Sequence, residues 1–175
     1  MNLPNKLTIG RILVVPVFVI LLMFEYYYIS AIIFVLASLT DMFDGMIARK
    51  YNLVTNFGKI MDPLADKILV VAALVCLVEL GQVAAWMVII ILAREFAVTG
   101  LRSVAAAQGV VIAAGTTGKI KTILQMIAIP ALLLQNWPFQ LIGFPFAKIM
   151  LWASVIMTVV SGVEYIMKNR QVLLK

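Results

Sequence analysis

The sequence of 175 residues contains no histidine, a single cysteine and only eight acidic residues. The absence of histidine excludes histidine-based catalytic triads, histidine general bases and histidine-ligated zinc, so acid–base chemistry falls to carboxylates, lysines or tyrosines. The cysteine, Cys76, stands inside an apolar run and has no partner for an internal disulfide. We therefore expect Cys76 to be a small buried hydrophobic residue.

Charged residues of either sign are also scarce: they make up 13% of the chain, whereas hydrophobic residues make up 64%. A soluble domain is typically about half apolar and about a quarter charged. A chain of this composition would expose a large apolar surface to water, so the expected solvent is the lipid bilayer. No small-residue cleavage site follows the first apolar run, so no secretory signal peptide is predicted, and the length indicates one membrane domain over residues 1–175.

Six apolar segments are long enough to cross a bilayer as helices, since about 20 residues suffice. They lie at roughly residues 9–28, 30–48, 60–80, 83–104, 120–136 and 146–167. Pro16 and Pro130 fall inside segments, where they are expected to kink the helices. The predicted fold class is all-α: an integral membrane bundle of six transmembrane helices with a short N-terminal interfacial helix.

The basic residues predict how this bundle is oriented. They flank the start of the chain, the connections after the second and fourth segments, and the end of the chain: Lys6, Arg11, Arg49, Lys50, Lys59, Lys67, Arg102, Lys119, Lys121, Lys168, Arg170 and Lys175. The connections after the first and third segments contain no lysine or arginine, and Lys148 alone falls on the other side. By the positive-inside rule, both termini of a multi-pass protein of the cell membrane are cytoplasmic.

Half of the acidic residues stand in one stretch of 26 residues. Asp41 and Asp44 end the second segment and share one helical face, and Asp62 and Asp66 begin the third segment and share another. A short connection makes the two helices antiparallel neighbours, so the four carboxylates are expected to converge at the cytoplasmic surface. Oxygen-rich sites of this kind suit hard divalent cations such as Mg²⁺ or Mn²⁺.

The neighbours of these aspartates match a phosphate site. Gly45 and Gly58 let a ligand approach the backbone, and Arg49 can bind a phosphate in bidentate fashion. Carboxylates, a pair of metal ions and an arginine are the usual means of moving a phosphoryl group. The site is therefore predicted to act on phosphate esters.

The aspartates and their neighbours form the pattern D-x2-D-G-x2-A-R-x8-G-x3-D-x3-D. Its eight fixed positions are Asp41, Asp44, Gly45, Ala48, Arg49, Gly58, Asp62 and Asp66. This pattern resembles the signature of the CDP-alcohol phosphotransferase family at every fixed position. Six membrane helices with the motif across the second and third are also similar to that family, so the resemblance covers the whole chain.

The resemblance implies an activity and a set of roles. Members of the family transfer a phosphatidyl-type group from a CDP-linked donor to an alcohol and release CMP. Asp41, Asp44 and Asp62 would hold two divalent ions, and Asp66 would both bind metal and act as the general base. The residues implied to contact the CDP donor are Gly45, Ala48, Arg49, Thr55 and Gly58. The family resemblance also implies a homodimer in contact with membrane lipids, with no nucleic-acid partner.

The N-terminal stretch "PNKLTIGRI" carries Asn5, Thr8 and Arg11 at a spacing of three residues. Taken alone, this polar stripe is typical of an amphipathic helix leading into the membrane. The family has a similar N-x2-T-x2-R stretch over the nucleotide. The resemblance therefore implies that Asn5 and Thr8 bind the donor.

The nature of the acceptor substrate is indicated by charged residues in the fourth segment and just before the fifth. Glu95, Thr99 and Arg102 form one stripe in "AREFAVTGLR", with Arg94 beside it, and "GTTGKIKT" adds Lys119 and Lys121. Ionisable residues within a membrane helix indicate function by default. Glu95 could instead pair with Arg94 or Arg102 for packing, and the lysines could be cytoplasmic flanks. Two arginines against one glutamate still leave surplus positive charge, which suggests an acceptor that carries a phosphate.

These two stretches are similar to R-E-F-x2-T-G-L-R and G-K-x-K-T segments of the family branch whose acceptor is sn-glycerol 3-phosphate and whose donor is CDP-diacylglycerol. The surplus charge agrees, although inositol phosphate would satisfy it too, and serine is a further acceptor within the family. An ion-coupled transporter, an intramembrane prenyltransferase and a purely structural membrane protein are the rival classes. They fit less well, because the aspartates lie at helix ends within one helical hairpin and no internal repeat is present.

Overall fold

A computed structural model describes the backbone of residues 3–50, 56–110, 112–113 and 115–170, and the side chains of residues 9–40, 65, 67–110, 112–113 and 115–170. Over these residues the chain forms six α-helices, one 3-10 helix and no strand. The helices are α1 (Leu3–Met23), α2 (Tyr27–Lys50), α3 (Asn56–Glu79), α4 (Ala85–Ala107), α5 (Thr116–Leu133) and α6 (Phe146–Lys168), with the 3-10 helix at Phe139–Ile142. The all-α prediction is thereby confirmed for the part of the chain that the structure describes.

The N-terminal stretch does not form the separate interfacial helix that was expected. It is the first part of α1, which runs without a break from Leu3 to Met23. Pro4 lies in the first turn, where a missing N–H costs no helical hydrogen bond. Pro16 lies inside α1 and Pro130 inside α5, as predicted.

The described chain divides into two compact units, of which the first contains Met1–Gln82 and Leu133–Gln135. In this unit α1 packs against both α2 and α3, while α2 and α3 contact each other at only a few described positions. The rings of Phe18 on α1 and Phe34 on α2 lie 6.2 Å apart at the centre of the core. Cys76 is buried in the same unit, as its apolar surroundings predicted.

The helices α1 and α2 run antiparallel. The chain turns back between Met23 and Tyr27, and the rings of Phe18 and Phe34, which lie at similar distances before and after this turn, are in contact. The start of α1 and the end of α2 therefore lie at the same end of this unit.

The second unit contains Val83–Leu132 and Asn136–Lys175, and α4 and α6 are its most closely packed pair. Trp86 and Trp152, near the two helix starts, have ring centroids 5.6 Å apart. Arg102 donates to the hydroxyl of Tyr165, near the two helix ends. The helices α4 and α6 are therefore parallel.

A stripe of hydroxyl side chains follows the buried face of α6. Ser154 donates to the carbonyl of Leu151 at 2.8 Å, Thr158 to that of Ser154 at 2.6 Å, and Ser161 to that of Thr158 at 3.1 Å. All three residues are buried. Each hydroxyl is thus satisfied by its own helix rather than by a neighbouring element.

A polar turn holds the start of α6. Asn136 donates from Nδ2 to the carbonyl of Phe144 at 2.7 Å and accepts the backbone N–H of Ala147 at 2.9 Å. Its backbone φ of 65° is left-handed, a conformation that asparagine tolerates well. The side chain of Asn136 therefore caps α6 from the preceding connection.

Among the described residues, α6 is the one helix that is long and apolar enough to cross a membrane, and Ile9–Met23 and Tyr27–Thr40 are shorter apolar stretches. The six helices match the six predicted segments in number and order. Six membrane crossings arranged as one bundle remain a prediction.

Candidate functional site

The predicted donor and metal residues lie at helix ends of the first unit. The first turns of α1 carry Asn5 and Thr8, the last turns of α2 carry Asp41, Asp44, Gly45, Ala48 and Arg49, and the first turns of α3 carry Gly58, Asp62 and Asp66. The structure describes the backbone at these positions and not their side chains, and Thr55 lies outside the described residues. Their predicted roles therefore remain predictions.

The backbone nevertheless limits where these positions lie. Because α1 and α2 are antiparallel, Asn5 and Thr8 lie at the same end of the unit as Asp41 and Asp44. Residues 51–55 join α2 to α3, and a connection of this length keeps the start of α3 within about 20 Å of the end of α2. The three groups of predicted residues are thus kept near one end of the unit.

The spacing of the motif also agrees with the helices that contain it. Asp41, Asp44 and Gly45 recur at three and four residues on α2, and Asp62 and Asp66 at four residues on α3, so each set falls on one helical face. The described side chains contain no group of three His, Cys, Asp or Glu residues that could hold a metal ion, and these four aspartates are not among them. A donor set made only of carboxylate oxygens fits a hard divalent cation.

A groove of about 450 Å³ between α1 and α2 runs towards the same end. It is lined by Gly10, Arg11, Val14, Val17, Ile33, Leu36, Ala37 and Thr40. Arg11 is only 6% exposed, and Thr40 donates to the carbonyl of Leu36 at 2.7 Å. The groove is therefore apolar, with a guanidinium close to the predicted metal positions.

In the second unit, Glu95 brings two of the predicted acceptor residues together. Its Oε1 accepts from Nζ of Lys121 at 2.7 Å and from NH1 of Arg94 at 3.0 Å. The side chain of Lys121 is 5% exposed and that of Arg94 13%. Glu95 thus joins two basic side chains, one on α4 and one on α5, through a single carboxylate oxygen.

The side chain of Arg94 lies against two glycines on neighbouring helices. A Cβ added at Gly118 of α5 would lie 3.1 Å from NH2 of Arg94, and one added at Gly162 of α6 would lie 3.0 Å from its Cγ. Nε of Arg94 is buried and has no hydrogen-bond acceptor among the described residues. An anion reaching this nitrogen would supply the acceptor that it lacks.

Arg102 has a different partner from the Glu95 group. Nε of Arg102 donates to the hydroxyl of Tyr165 at 3.0 Å. Thr99 and Lys119 are exposed, and the carbonyl of Thr99 accepts from Ser103 at 3.0 Å. Arg94 and Arg102 are eight residues apart on α4, which is about 12 Å along a helix. Arg94 and Lys121 thus meet at Glu95, whereas Arg102 pairs with Tyr165.

The sequence interpretation missed Gly162 and Tyr165, both on α6. They contact Arg94 and Arg102 respectively, so one face of α6 supports both arginines of α4. Their spacing of three residues places them on one helical face, which is the signal the sequence offered. Which helix this face of α6 contacts is decided by tertiary packing, so the spacing alone could not identify α4.

Comparison with known proteins extends this description. The family model for CDP-alcohol phosphatidyltransferase matches residues 1–160, which include parts of both units. A CDP-diacylglycerol–glycerol-3-phosphate 3-phosphatidyltransferase of Bacillus subtilis (strain 168) is 52% identical, over 98% of this chain and 97% of the relative.

Two further relatives are similar over most of the chain. An identically named protein of Rickettsia typhi is 44% identical over 94% of both chains. A probable phosphatidylglycerophosphate synthase of Mycobacterium tuberculosis (strain H37Rv) is 39% identical, over 94% of this chain and 80% of the relative. With a family model that covers most of its length and relatives that match it nearly end to end, the chain belongs to the CDP-alcohol phosphatidyltransferase family.

Proposed function

We propose that the protein transfers the phosphatidyl group from CDP-diacylglycerol to sn-glycerol 3-phosphate, giving phosphatidylglycerophosphate and CMP. The observation that carries this proposal is the complete eight-position motif at the ends of α2 and α3, in a chain that matches relatives named for this reaction over nearly its whole length. The primary hydroxyl of the acceptor attacks the phosphorus that bears the diacylglycerol. The bond from that phosphorus to the oxygen of CMP breaks, and the hydroxyl proton passes to a base.

The first unit binds the donor in this proposal. Asn5, Thr8, Gly45, Ala48, Arg49, Thr55 and Gly58 hold the CDP portion. The small residues Gly45, Ala48 and Gly58 let the nucleotide approach the helix backbones, and Arg49 pairs with a phosphate. The groove between α1 and α2 suits one acyl chain, because its walls are apolar and a guanidinium lies near the predicted phosphate end.

The carboxylates of the first unit serve as metal ligands. Two divalent cations, Mg²⁺ or Mn²⁺, held by Asp41, Asp44, Asp62 and Asp66, would neutralise charge on the phosphate oxygens. Asp66 also takes the proton of the attacking hydroxyl. The chain contains no histidine, and the nearest candidate base is a carboxylate of this cluster.

The second unit binds the phosphate of the acceptor through Arg94, Thr99, Arg102, Lys119 and Lys121. The support for this assignment is that two basic side chains meet at one carboxylate oxygen of Glu95, and that the buried Nε of Arg94 lacks an acceptor among the described residues. A neutral acceptor such as serine would bring no anion to this nitrogen. An acceptor that carries its own phosphate would supply one.

We also propose that the protein is a multi-pass protein of the cell membrane, with both termini and the active site cytoplasmic. The distribution of lysine and arginine supports this orientation. The family resemblance supports a homodimer surrounded by membrane lipids.

A reconstituted assay tests the activity. Purified protein in phospholipid vesicles is given CDP-diacylglycerol and, in separate reactions, glycerol 3-phosphate, inositol 1-phosphate and serine. We expect CMP release with glycerol 3-phosphate alone, together with a lipid whose mass is that of phosphatidylglycerophosphate. Asp66→Asn protein, prepared identically, controls for a contaminating enzyme. Lipid product from another acceptor, or no CMP release from any of the three, would contradict the proposal.

A further inference from the structure

We propose that Tyr165 is a positioning residue for the phosphate of the acceptor and that it acts through Arg102. This inference rests on the proposed function, in which Arg102 contacts that phosphate. The hydroxyl of Tyr165 accepts the Nε–H of Arg102 at 3.0 Å, and the guanidinium carbon lies 5.5 Å from the centre of the tyrosine ring. Two interactions of different kinds thus fix one end of an otherwise exposed side chain.

The tyrosine is itself held firmly. It is 6% exposed and packs with Val98 and Leu101 of α4, and Ile112 packs against this cluster. A ring wedged between α4 and α6 can present its hydroxyl at only one place, because packed core side chains have little room to change rotamer. The position of Arg102 is therefore set by the core rather than by the solvent.

The hydrogen bond also decides which part of the guanidinium faces a ligand. Among the described residues, Nε is the nitrogen of Arg102 that donates to another side chain. The terminal nitrogens NH1 and NH2 form the two-pronged fork that binds a phosphate in bidentate fashion. With Nε bonded to Tyr165, the terminal fork is left for a ligand before any substrate binds.

A tyrosine orients this arginine without neutralising it. Glu95, by contrast, places a negative charge against both Arg94 and Lys121. A carboxylate at residue 165 would pair with Arg102 and compete with the substrate for the same fork. The neutral phenol leaves the full charge of Arg102 available, and a side chain fixed in advance loses less conformational freedom on binding.

A double-mutant cycle tests this mechanism. Wild type, Tyr165→Phe, Arg102→Lys and the double variant are compared for the KM of each substrate and for kcat. We expect Tyr165→Phe to raise the KM for glycerol 3-phosphate by roughly 3- to 10-fold, the range for one hydrogen bond, and to leave the KM for CDP-diacylglycerol and kcat within about twofold. In the Arg102→Lys background, Tyr165→Phe should add less than about twofold, because lysine has no Nε–H for the hydroxyl to hold.

A matched control separates this role from packing. Tyr28→Phe removes a hydroxyl from an exposed tyrosine of α2 and should change neither KM. If Tyr165→Phe raises both KM values equally, or has the same effect in the Arg102→Lys background as in the wild type, the positioning role is wrong.

Binding of inorganic phosphate provides a readout that does not depend on turnover. Phosphate should raise the thermal unfolding temperature of the wild type more than that of Tyr165→Phe or Arg102→Lys. An equal rise in all three would overturn the inference. If the wild type does not turn over glycerol 3-phosphate, the proposed acceptor is wrong, and the phosphate measurement still decides whether Tyr165 and Arg102 form an anion site.

Discussion

Arg94 on α4 lies directly against Gly162 on α6, where an added Cβ would meet the Cγ of the arginine at 3.0 Å and its Cβ at 3.9 Å. These arginine atoms are close to the backbone of α4 and cannot swing aside as the end of a long side chain can. Relief requires a new rotamer of Arg94 or a shift between the helices. Glycine at residue 162 therefore allows two parallel helices to pack with an arginine between them.

Gly162→Ala should both destabilise the protein and displace Arg94. We expect a loss of about 1–3 kcal/mol in the free energy of unfolding, as for other overpacked cores, and a KM for glycerol 3-phosphate raised by at least about fivefold. Gly100→Ala is the matched control, because Gly100 is a helical glycine of α4 with nothing within 4 Å of an added Cβ. That change should stabilise the protein by about 0.5–1 kcal/mol and leave KM unaltered. Similar behaviour of the two variants would contradict the contact.

Glu95→Gln should be costly because it removes a carboxylate to which the buried Lys121 donates at 2.7 Å. We expect a loss of about 3 kcal/mol in the free energy of unfolding, measured by thermal or denaturant unfolding in detergent. Glu164→Gln breaks the exposed Glu164–Lys168 pair of α6 and should cost less than about 1 kcal/mol. The double variant Glu95→Gln/Lys121→Met should recover much of the lost stability while binding glycerol 3-phosphate poorly. A Glu95→Gln loss no larger than that of Glu164→Gln would show that Lys121 is stable without this partner.

Removal of divalent ions should abolish turnover, and so should Asp41→Asn or Asp44→Asn. The physical reason is that clustered carboxylates need cations to neutralise both themselves and the phosphates of the donor. CMP release is measured in EDTA and again after Mg²⁺ or Mn²⁺ is restored, with membrane insertion of each variant checked by fractionation. Full activity in chelator would refute the metal site.

Asp66→Asn should separate catalysis from donor binding. Asparagine keeps the shape of the side chain and part of its ability to bind metal, but it cannot accept the proton of the acceptor hydroxyl. We expect kcat to fall by at least about 10²-fold, whereas the affinity for CDP-diacylglycerol stays within about threefold of wild type. Asp41→Asn, which removes a metal ligand, should weaken donor binding instead. If Asp66→Asn weakens the binding of CDP-diacylglycerol as severely as Asp41→Asn does, Asp66 is a metal ligand and not the general base.

The sequence predicted most reliably what depends on spacing along one helix. The sixth segment was placed at 146–167 and the helix is Phe146–Lys168. The first segment was extended to residue 28, but α1 ends at Met23 because Glu25 adopts a left-handed φ of 63°. The apolar and aromatic residues around Glu25 continue the hydrophobic run through this turn, so composition does not reveal the end of the helix.

Contacts between segments that are far apart along the chain could not be predicted from the sequence. One alternative paired Glu95 with Arg94 or Arg102 for packing, and the structure pairs it with Arg94 and with Lys121, 26 residues away. Arg102 instead donates to a tyrosine 63 residues along the chain. Helical spacing shows which side chains share a face, but only packing decides which face meets which.

The hydroxyl stripe of α6 has a consequence for how this helix would lie in a bilayer under the proposed membrane topology. A serine or threonine with no hydrogen-bond partner is costly to transfer into hydrocarbon. This cost does not apply to Ser154, Thr158 and Ser161, because each hydroxyl donates to a carbonyl of its own helix. In that topology, α6 would need no polar partner from another helix to satisfy these three hydroxyls in hydrocarbon.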